Sequence, residues 1–94
     1  MPPCAVEFLP RFASDAVSLP DDKRLEVERV LRRLSGEFGQ PHLHSGLGIR
    51  RLRRNYFECR LGRDLRMVFR LEGSILTMVR IGDHEEIQSF LKGI

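Results

Sequence analysis

Hydrophobic positions in the first part of the chain repeat mainly at helical spacing. Residues 5–9 form a short β-prone run that ends at a proline. Residues 11–18 carry apolar side chains three to four positions apart, and Leu19-Pro20 ends that segment. Residues 21–36 have the spacing of a longer helix. The apolar side of this second helix contains Leu25, Val27, Val30, Leu31 and Leu34. The pattern therefore predicts one strand followed by two helices.

After residue 49 the hydrophobic period changes to two, which is typical of strands. The predicted strands cover residues 49–53, 56–61, 65–71 and 75–81, with short turns between them. Residues 84–92 can form a final helix. The predicted fold class is α+β, in the order β-α-α-β-β-β-β-α. An antiparallel sheet would have one apolar face, and we expect the N-terminal helices to cover it.

Alternation within the strands assigns side chains to the two faces of the sheet. The face toward the helices should contain Phe57, Cys59, Leu61, Met67 and Phe69. The opposite face should contain Glu58, Arg60, Arg66, Arg70 and Arg80, with Tyr56, Val68, Leu76 and Met78 among them. Arginine mixed with aromatic and apolar groups suits an RNA or protein partner. A solvated face held by cross-strand Glu–Arg pairs is the alternative interpretation.

The length of 94 residues is that of one domain with a single thin core, so we expect one domain over residues 1–94. No apolar run approaches the ~18–20 residues that a membrane-spanning helix requires. Residues 1–7 have neither a basic nor an apolar region of a secretory signal, so the expected location is the cytoplasm. The two cysteines are too few for a disulfide framework and are expected to be free thiols.

Positive charge is concentrated in the middle of the chain. The whole sequence carries a net charge of +3, whereas residues 46–80 alone carry nine arginines and three acids. Such a basic segment in a near-neutral chain is typical of a polyanion partner. Of the basic residues 14 are arginine and 2 are lysine, and guanidinium groups bind phosphate with two parallel hydrogen bonds. A GC-rich genome is an alternative source of the ratio but does not explain the clustering.

Few residues are candidates for chemistry. His42 and His44 are spaced as an H-x-H pair, which can begin a metal site, but no third ligand is evident, so we expect no metal. His84 follows the predicted strand that contains Arg80, where a strand-end residue can overhang the sheet face. A helix-start residue without a reactive role is the alternative for His84. Cys59 is expected to be a core thiol rather than a nucleophile.

Three segments together resemble the RelE/ParE superfamily of toxins from type II toxin–antitoxin systems. They are residues 56–60 (YFECR), residues 64–70 (DLRMVFR) and residues 80–87 (RIGDHEEI), after a helical pair and within a four-stranded meander. Residues 39–52 are similar to one subgroup described as translational-repressor toxins. The resemblance covers nearly the whole chain and implies a RelE-like fold.

For RelE-type members, the resemblance implies a metal-independent endoribonuclease that cuts mRNA on the ribosome and is neutralised by a cognate antitoxin. The implied reaction is attack of a ribose 2′-OH on the neighbouring phosphate. Arg66 matches the strand arginine that stabilises the phosphate, Arg60 matches a basic position in the preceding strand, and His84 matches the C-terminal acid or base. Glu58 can instead serve as the base, as in some branches. No cofactor, small molecule or membrane is implied.

The same interpretation gives the remaining basic residues of the surface to RNA binding. The residues assigned are Arg50, Arg51, Arg53, Arg54, Arg70, Arg80 and His44. Four residues after His84, where many nucleases of this family carry an aromatic that stacks on a base, this chain has Gln88. The alternatives are therefore a gyrase-inhibiting ParE-like toxin and a catalytically weak module that binds an antitoxin.

Overall fold

The computed structural model describes residues 5–37 and 48–94. The elements follow the predicted order and lie within one or two residues of the predicted bounds. They are β1 (Ala5–Phe8), α1 (Pro10–Val17), α2 (Asp21–Glu37), β2 (Arg50–Arg53), β3 (Tyr56–Leu61), β4 (Leu65–Glu72), β5 (Ile75–Gly82) and α3 (His84–Lys92). None of the helices in these ranges is long and apolar enough to cross a membrane.

The five strands form one sheet in the order β1-β5-β4-β3-β2. Strands β2 to β5 make the antiparallel meander that the alternation predicts. Strand β1 instead pairs with β5 in parallel, so the sheet is mixed rather than wholly antiparallel. The two helices between β1 and the meander make this possible, because a parallel pair needs a long crossover connection.

The main core lies between one sheet face and the first two helices, as predicted. Phe12 of α1 packs with Val27, Val30 and Leu34 of α2 over buried side chains of β3, β4 and β5. The prediction that Leu25 belongs to the buried side of α2 is wrong, since this residue is 61% exposed. Leu25 is two positions before Val27 in the sequence, which places it about 200° away around the helix axis.

The opposite face is partly covered by α3, where Val68, Val79 and Ile87 are buried together. Leu76 and Met78, predicted on this face, lie instead in the core under α1 and α2. Strand β5 contains a bulge, because Val68 pairs with Arg80 and the next residue of β4, Phe69, pairs with Met78. The extra residue, Val79, changes the side-chain alternation along β5.

Asp15 of α1 closes the free edge of β5 beyond the end of β1. Its Oδ2 accepts a hydrogen bond from the backbone N–H of Ile81 at 2.9 Å and one from Arg80 Nε at 2.8 Å. Oδ1 lies 3.2 Å from Arg11 Nε. Burial by itself would raise the pKa of Asp15, but the Ile81 N–H, Arg80 and Arg11 outweigh it and hold that pKa below the ordinary value. The carboxylate therefore joins α1 to the sheet in its charged form.

Replacing Asp15 with alanine is expected to lower the free energy of unfolding by about 1–3 kcal/mol at neutral pH, because a buried N–H and a buried guanidinium lose their acceptor. A carboxyl whose folded-state pKa is depressed stabilises the fold above its unfolded-state pKa and loses that effect as pH falls through the folded-state value. The difference between wild type and Asp15→Ala should therefore shrink as the pH is lowered below about 4. Urea unfolding at pH 6.5 and at pH 3 measures it.

Glu28→Gln is the matched control, because Glu28 is exposed on α2. This change should alter the free energy of unfolding by no more than about 0.5 kcal/mol at either pH. An Asp15→Ala protein as stable as wild type at pH 6.5 would mean that the carboxylate does not join α1 to β5.

Candidate functional site

A cleft of about 220 Å³ contains all four residues predicted to be catalytic. Three of them belong to the sheet, and the fourth, His84, is the first residue of α3. The lining residues are Gly48, Arg50, Glu58, Arg60, Arg66 and His84. Alternation places the three sheet residues on the face opposite the α1–α2 core, because Cys59, Leu61 and Met67 point into that core.

Two like charges face each other across the centre of the cleft. Arg60 of β3 and Arg66 of β4 are directly opposite in the antiparallel register. Like charges in this arrangement are destabilising, and an anion between them relieves the repulsion. Arg60 is exposed and has no hydrogen bond or ion pair with any other described residue. The pair is therefore a ready binding position for a negatively charged group.

Glu58 lies beneath the arginines, with only 6% of its surface exposed. Its Oε1 is 3.3 Å from Arg50 Nη2, and its Oε2 is 3.2 Å from Arg66 Nε. The two cations come from opposite sides, since Arg50 is on β2 and Arg66 is on β4. Arg66 Nη1 also donates to the main-chain oxygen of Leu65 at 3.2 Å. The guanidinium of Arg66 is thereby held from two directions.

His84 reaches the cleft because α3 begins immediately after β5. Asp83 caps the helix: its carboxylate accepts from the Glu86 N–H at 2.8 Å, and its own N–H donates to Glu86 Oε1 at 3.1 Å. Gly82 pairs with Arg66 in the sheet, and a Cβ at Gly82 would lie 2.9 Å from the Glu86 Cβ. Only glycine therefore lets the first turn of α3 come this close to the sheet.

Gly48 closes the other end of the cleft. Its φ of +63° is in the left-handed region, and a Cβ there would approach Arg60 Nε to 3.1 Å. Neither Gly48 nor Gly82 was predicted from the sequence to be part of the site. The signal was available at Gly82, where a glycine directly precedes an Asp-x-x-Glu capping box. At Gly48 the close approach depends on the folded position of Arg60.

The other arginines assigned to RNA binding lie outside the cleft, apart from Arg50. Arg51 Nε donates to the Arg54 main-chain oxygen at 2.7 Å, and Arg53 Nη1 donates to the Ile94 main-chain oxygen at 3.0 Å. All three side chains belong to exposed residues at the β2 edge of the sheet. They form a basic edge next to the cleft.

Arg70 and Arg80 have partners of their own. Arg70 lies 6.0 Å from the Tyr56 ring centre and its Nε is 2.8 Å from Glu72 Oε1, although that contact lacks hydrogen-bond alignment. Arg80 is bound to Asp15, with 14% of its side chain exposed, and does not line the cleft. Asp15 was not identified as its partner from the sequence, where the two are 65 positions apart. His44, also assigned to RNA binding, lies outside the described residues, as does His42.

The aromatic residue nearest the end of α3 does not replace the missing stacking group. Phe90 packs edge-on against Tyr56 with ring centres 6.1 Å apart and belongs to the cluster that docks α3. Gln88 is exposed. In this arrangement, therefore, neither position 88 nor position 90 offers an aromatic ring that can stack on an RNA base.

Cys59 is a core thiol, as predicted, with no exposed surface. Burial first, and the charge of Glu58 second, raise its pKa to about 12. A thiol in this state is not a nucleophile. Within residues 5–37 and 48–94, no three histidine, cysteine or acidic side chains are grouped as ligands for a metal ion.

The cleft combines the fixed positive charge of its arginines with the imidazole of His84, a side chain that enzymes commonly use for proton transfer. Three arginines and one glutamate give its charged lining a net charge of +2 when His84 is neutral. Such a set of groups can bind a phosphodiester, stabilise additional charge on it, and move a proton at one of its oxygens.

Two solved structures similar to this one are complexes of a toxin with its antitoxin. One is the RelB–RelE antitoxin–toxin complex from Methanococcus jannaschii, with a TM-score of 0.69 and 18% identity over 89% of this chain and 96% of the other. Another is the archaeal RelE–RelB complex from Pyrococcus horikoshii OT3, with a TM-score of 0.71 and 14% identity over 85% of this chain and 93% of the other.

A third similar structure is YafQ from E. coli strain BL21(DE3), with a TM-score of 0.69 and 15% identity over 89% of this chain and 97% of the other. No protein-family model matches the chain, and no curated protein sequence matches it. At identities of 14–18% these likenesses establish the fold.

Proposed function

We propose that this chain, which has the RelE-like fold that its sequence predicts, is the toxin of a type II toxin–antitoxin pair. The proposed activity of the toxin is to cut mRNA on the ribosome without a metal ion. The observation that carries the proposal is the cleft in which Arg60 and Arg66 face each other beside His84. These are the residues that the resemblance to RelE-type nucleases selects from the sequence. Their convergence from two strands and a helix supports a common task.

The partner we propose is a cognate antitoxin protein. The similar structures from M. jannaschii and P. horikoshii are complexes of RelE with RelB, and E. coli YafQ also forms a toxin–antitoxin complex with DinJ. The shared fold extends over 85–89% of this chain, which supports a partner of the same kind.

The proposed reaction breaks the bond between phosphorus and the 5′-oxygen of the next nucleotide. The 2′-oxygen attacks phosphorus as it loses its proton, and the 5′-oxygen leaves as it gains one. The products are a 2′,3′-cyclic phosphate and a 5′-hydroxyl, and no metal, oxidant or additional reactant enters the balance. Negative charge on the phosphoryl oxygens increases in the transition state, where fixed cations are most effective.

Each residue of the cleft has a role that follows from its position. Arg60 and Arg66 bind the scissile phosphate and stabilise the charge on its oxygens. His84 exchanges the proton at one of the two reacting oxygens, because imidazole does so near neutral pH. Glu58 and water are the candidates for the other proton. The exposed arginines at the β2 edge bind the flanking RNA.

A second function is favoured by one observation. Gln88 is exposed where a stacking aromatic is expected, and Phe90 is occupied by Tyr56. A protein that positions its substrate poorly would be a weak nuclease, and the same fold could then act by binding gyrase or an antitoxin alone. Induced expression distinguishes these functions, because a nuclease stops protein synthesis first and a gyrase inhibitor changes DNA supercoiling first.

Replacing Arg66 with alanine tests the nuclease directly. Loss of one preorganised donor to the phosphate should lower the rate of mRNA cleavage on translating ribosomes by about 10²–10³-fold. EDTA, with the magnesium that the ribosome needs supplied in excess over it, should leave the wild-type rate unchanged, which tests for a requirement for a transition metal such as zinc. Primer extension on the mRNA measures cleavage, and a thermal melt verifies that the variant is folded.

Arg32→Ala is the control, because Arg32 is an exposed arginine of α2 outside the cleft. It should cut at the wild-type rate. The nuclease proposal fails if wild type leaves mRNA intact, or if folded Arg66→Ala cuts as fast as wild type.

A further inference from the structure

The two arginines beside Glu58 share one buried carboxylate. Arg50 and Arg66 lie on strands either side of β3, and about 9–10 Å separates the backbones of two such strands. Glu58 sits between them and uses a different oxygen for each, at 3.3 and 3.2 Å. The carboxylate therefore fixes the spacing between two cations that would otherwise repel each other.

The same geometry is unfavourable for a general base. A base must come within about 2.6–3.2 Å of the proton that it removes. Only 8% of the Glu58 side chain is exposed, and both of its oxygens already face a guanidinium. Glu58 lines the cleft, but Arg50 and Arg66 already take up its two oxygens there.

We propose that Glu58 is a positioning residue that holds Arg66 and Arg50 in place for the phosphates of the RNA, and that it does not take the 2′-OH proton. This inference rests on the proposed nuclease function. Among the described residues, Arg66 Nε forms an ion pair with Glu58, and Nη1 donates to the Leu65 main-chain oxygen. The remaining N–H groups of this guanidinium are available to the scissile phosphate. Arg50, held by the other oxygen, binds an adjacent phosphate, and water receives the 2′-OH proton.

A double-mutant cycle separates the two roles of Glu58. Glu58→Gln keeps the shape of the side chain but removes its charge, and should lower the cleavage rate by about 10–100-fold. Measured at saturating RNA, where the contribution of Arg50 to binding does not enter the rate, the same change made in Arg66→Ala should lower the rate less than about 2-fold further if Glu58 acts through Arg66, because coupled residues are not additive. If Glu58 were the base, Glu58→Gln would lower the cleavage rate by the same factor in wild type and in Arg66→Ala.

The pH dependence of cleavage gives a second measurement. In Glu58→Gln the rate should fall by a similar factor at every pH between 5 and 9, and the shape of the profile should be that of wild type. Loss of the rise in rate on the acidic side would identify Glu58 as the base and overturn the inference.

Binding gives a third measurement, which does not require cleavage. RNA with a 2′-deoxy nucleotide at the cleavage position should bind Glu58→Gln and Arg50→Ala several-fold more weakly than wild type. Glu72→Gln is the matched control, because Glu72 faces an arginine outside the cleft and is 61% exposed. It should bind and cut like wild type.

The outcomes distinguish the two proposals. If wild type neither binds nor cuts the RNA, the nuclease function and this inference fail together. If wild type cuts but the losses from Glu58→Gln and Arg66→Ala multiply, only the positioning role fails. If a thermal melt shows that Glu58→Gln is unfolded, Glu58→Asp replaces it, since aspartate keeps the charge but has a shorter side chain. The decrease in cleavage rate that Glu58→Asp causes in wild type should then be absent when it is made in Arg66→Ala.

Discussion

Replacing His84 with alanine should lower the rate of RNA cleavage by about 10²–10⁴-fold, which is the usual contribution of a positioned general acid or base. The effect should appear in the chemical step, because His84 is an exposed residue at the start of α3 and lines the cleft. The melting temperature should therefore remain near that of wild type. Single-turnover cleavage on ribosomes, measured across pH 5–9, gives the decrease in rate relative to wild type. It also shows which pH-dependent part of the wild-type rate profile is missing in the variant.

Ser89→Ala is the control for this substitution, since Ser89 is exposed on the same helix and does not line the cleft. It should cut at the wild-type rate. Cleavage by His84→Ala at the rate and pH dependence of wild type would exclude the histidine from proton transfer, and His84 would then be only a helix-start residue.

Replacing Phe69 with alanine should lower the free energy of unfolding by about 3–5 kcal/mol, the usual loss for a large buried aromatic side chain. Phe69 is completely buried, and its ring stacks on Phe57 with centres 5.6 Å apart and planes 15° from parallel. It belongs to the core beneath α2. Since small domains have only about 5–15 kcal/mol of stability, much of the protein should be unfolded at 37 °C.

Phe8→Ala is a matched control, because Phe8 is the same residue type but is 53% exposed at the end of β1. Its loss should cost less than about 1 kcal/mol. Urea unfolding of both variants gives the comparison. A Phe69→Ala protein with the same free energy of unfolding as wild type would refute the register of β3 and β4.

The side-chain faces of β3 and β4 could be predicted, because apolar and polar residues alternate along both strands except at Tyr56 and Val68, which lie on the outer face. That alternation also placed Glu58, Arg60 and Arg66 on one face, where they line the cleft. Strand β5 could not be predicted in the same way. It is apolar on both faces, since α3 covers part of the outer one, and its bulge reverses the alternation after Met78.

The details of the site that were not predicted depend on long-range contacts. The burial of Glu58 between two arginines follows from the order of β2, β3 and β4 in the sheet. The pairing of Arg80 with Asp15 joins residues far apart in the chain. The parallel direction of β1 similarly depends on how the α1–α2 pair crosses the sheet. Local patterns of side chains do not contain this information.

The attachment of α3 to the outer sheet face makes the cleft conditional on the position of one short helix. Ile87 is buried against Val68 and Val79, and this contact holds the first turn of α3, with His84, beside the cleft. The apparent affinity for a ligand is reduced by the fraction of molecules with the helix undocked. A ligand bound in the cleft through His84 in turn raises the population of docked helix by the same free energy. Ile87 is not one of the residues that line the cleft. Weakening its contact with the sheet would nevertheless lower the apparent affinity of the cleft for a ligand, because fewer molecules would have α3 docked.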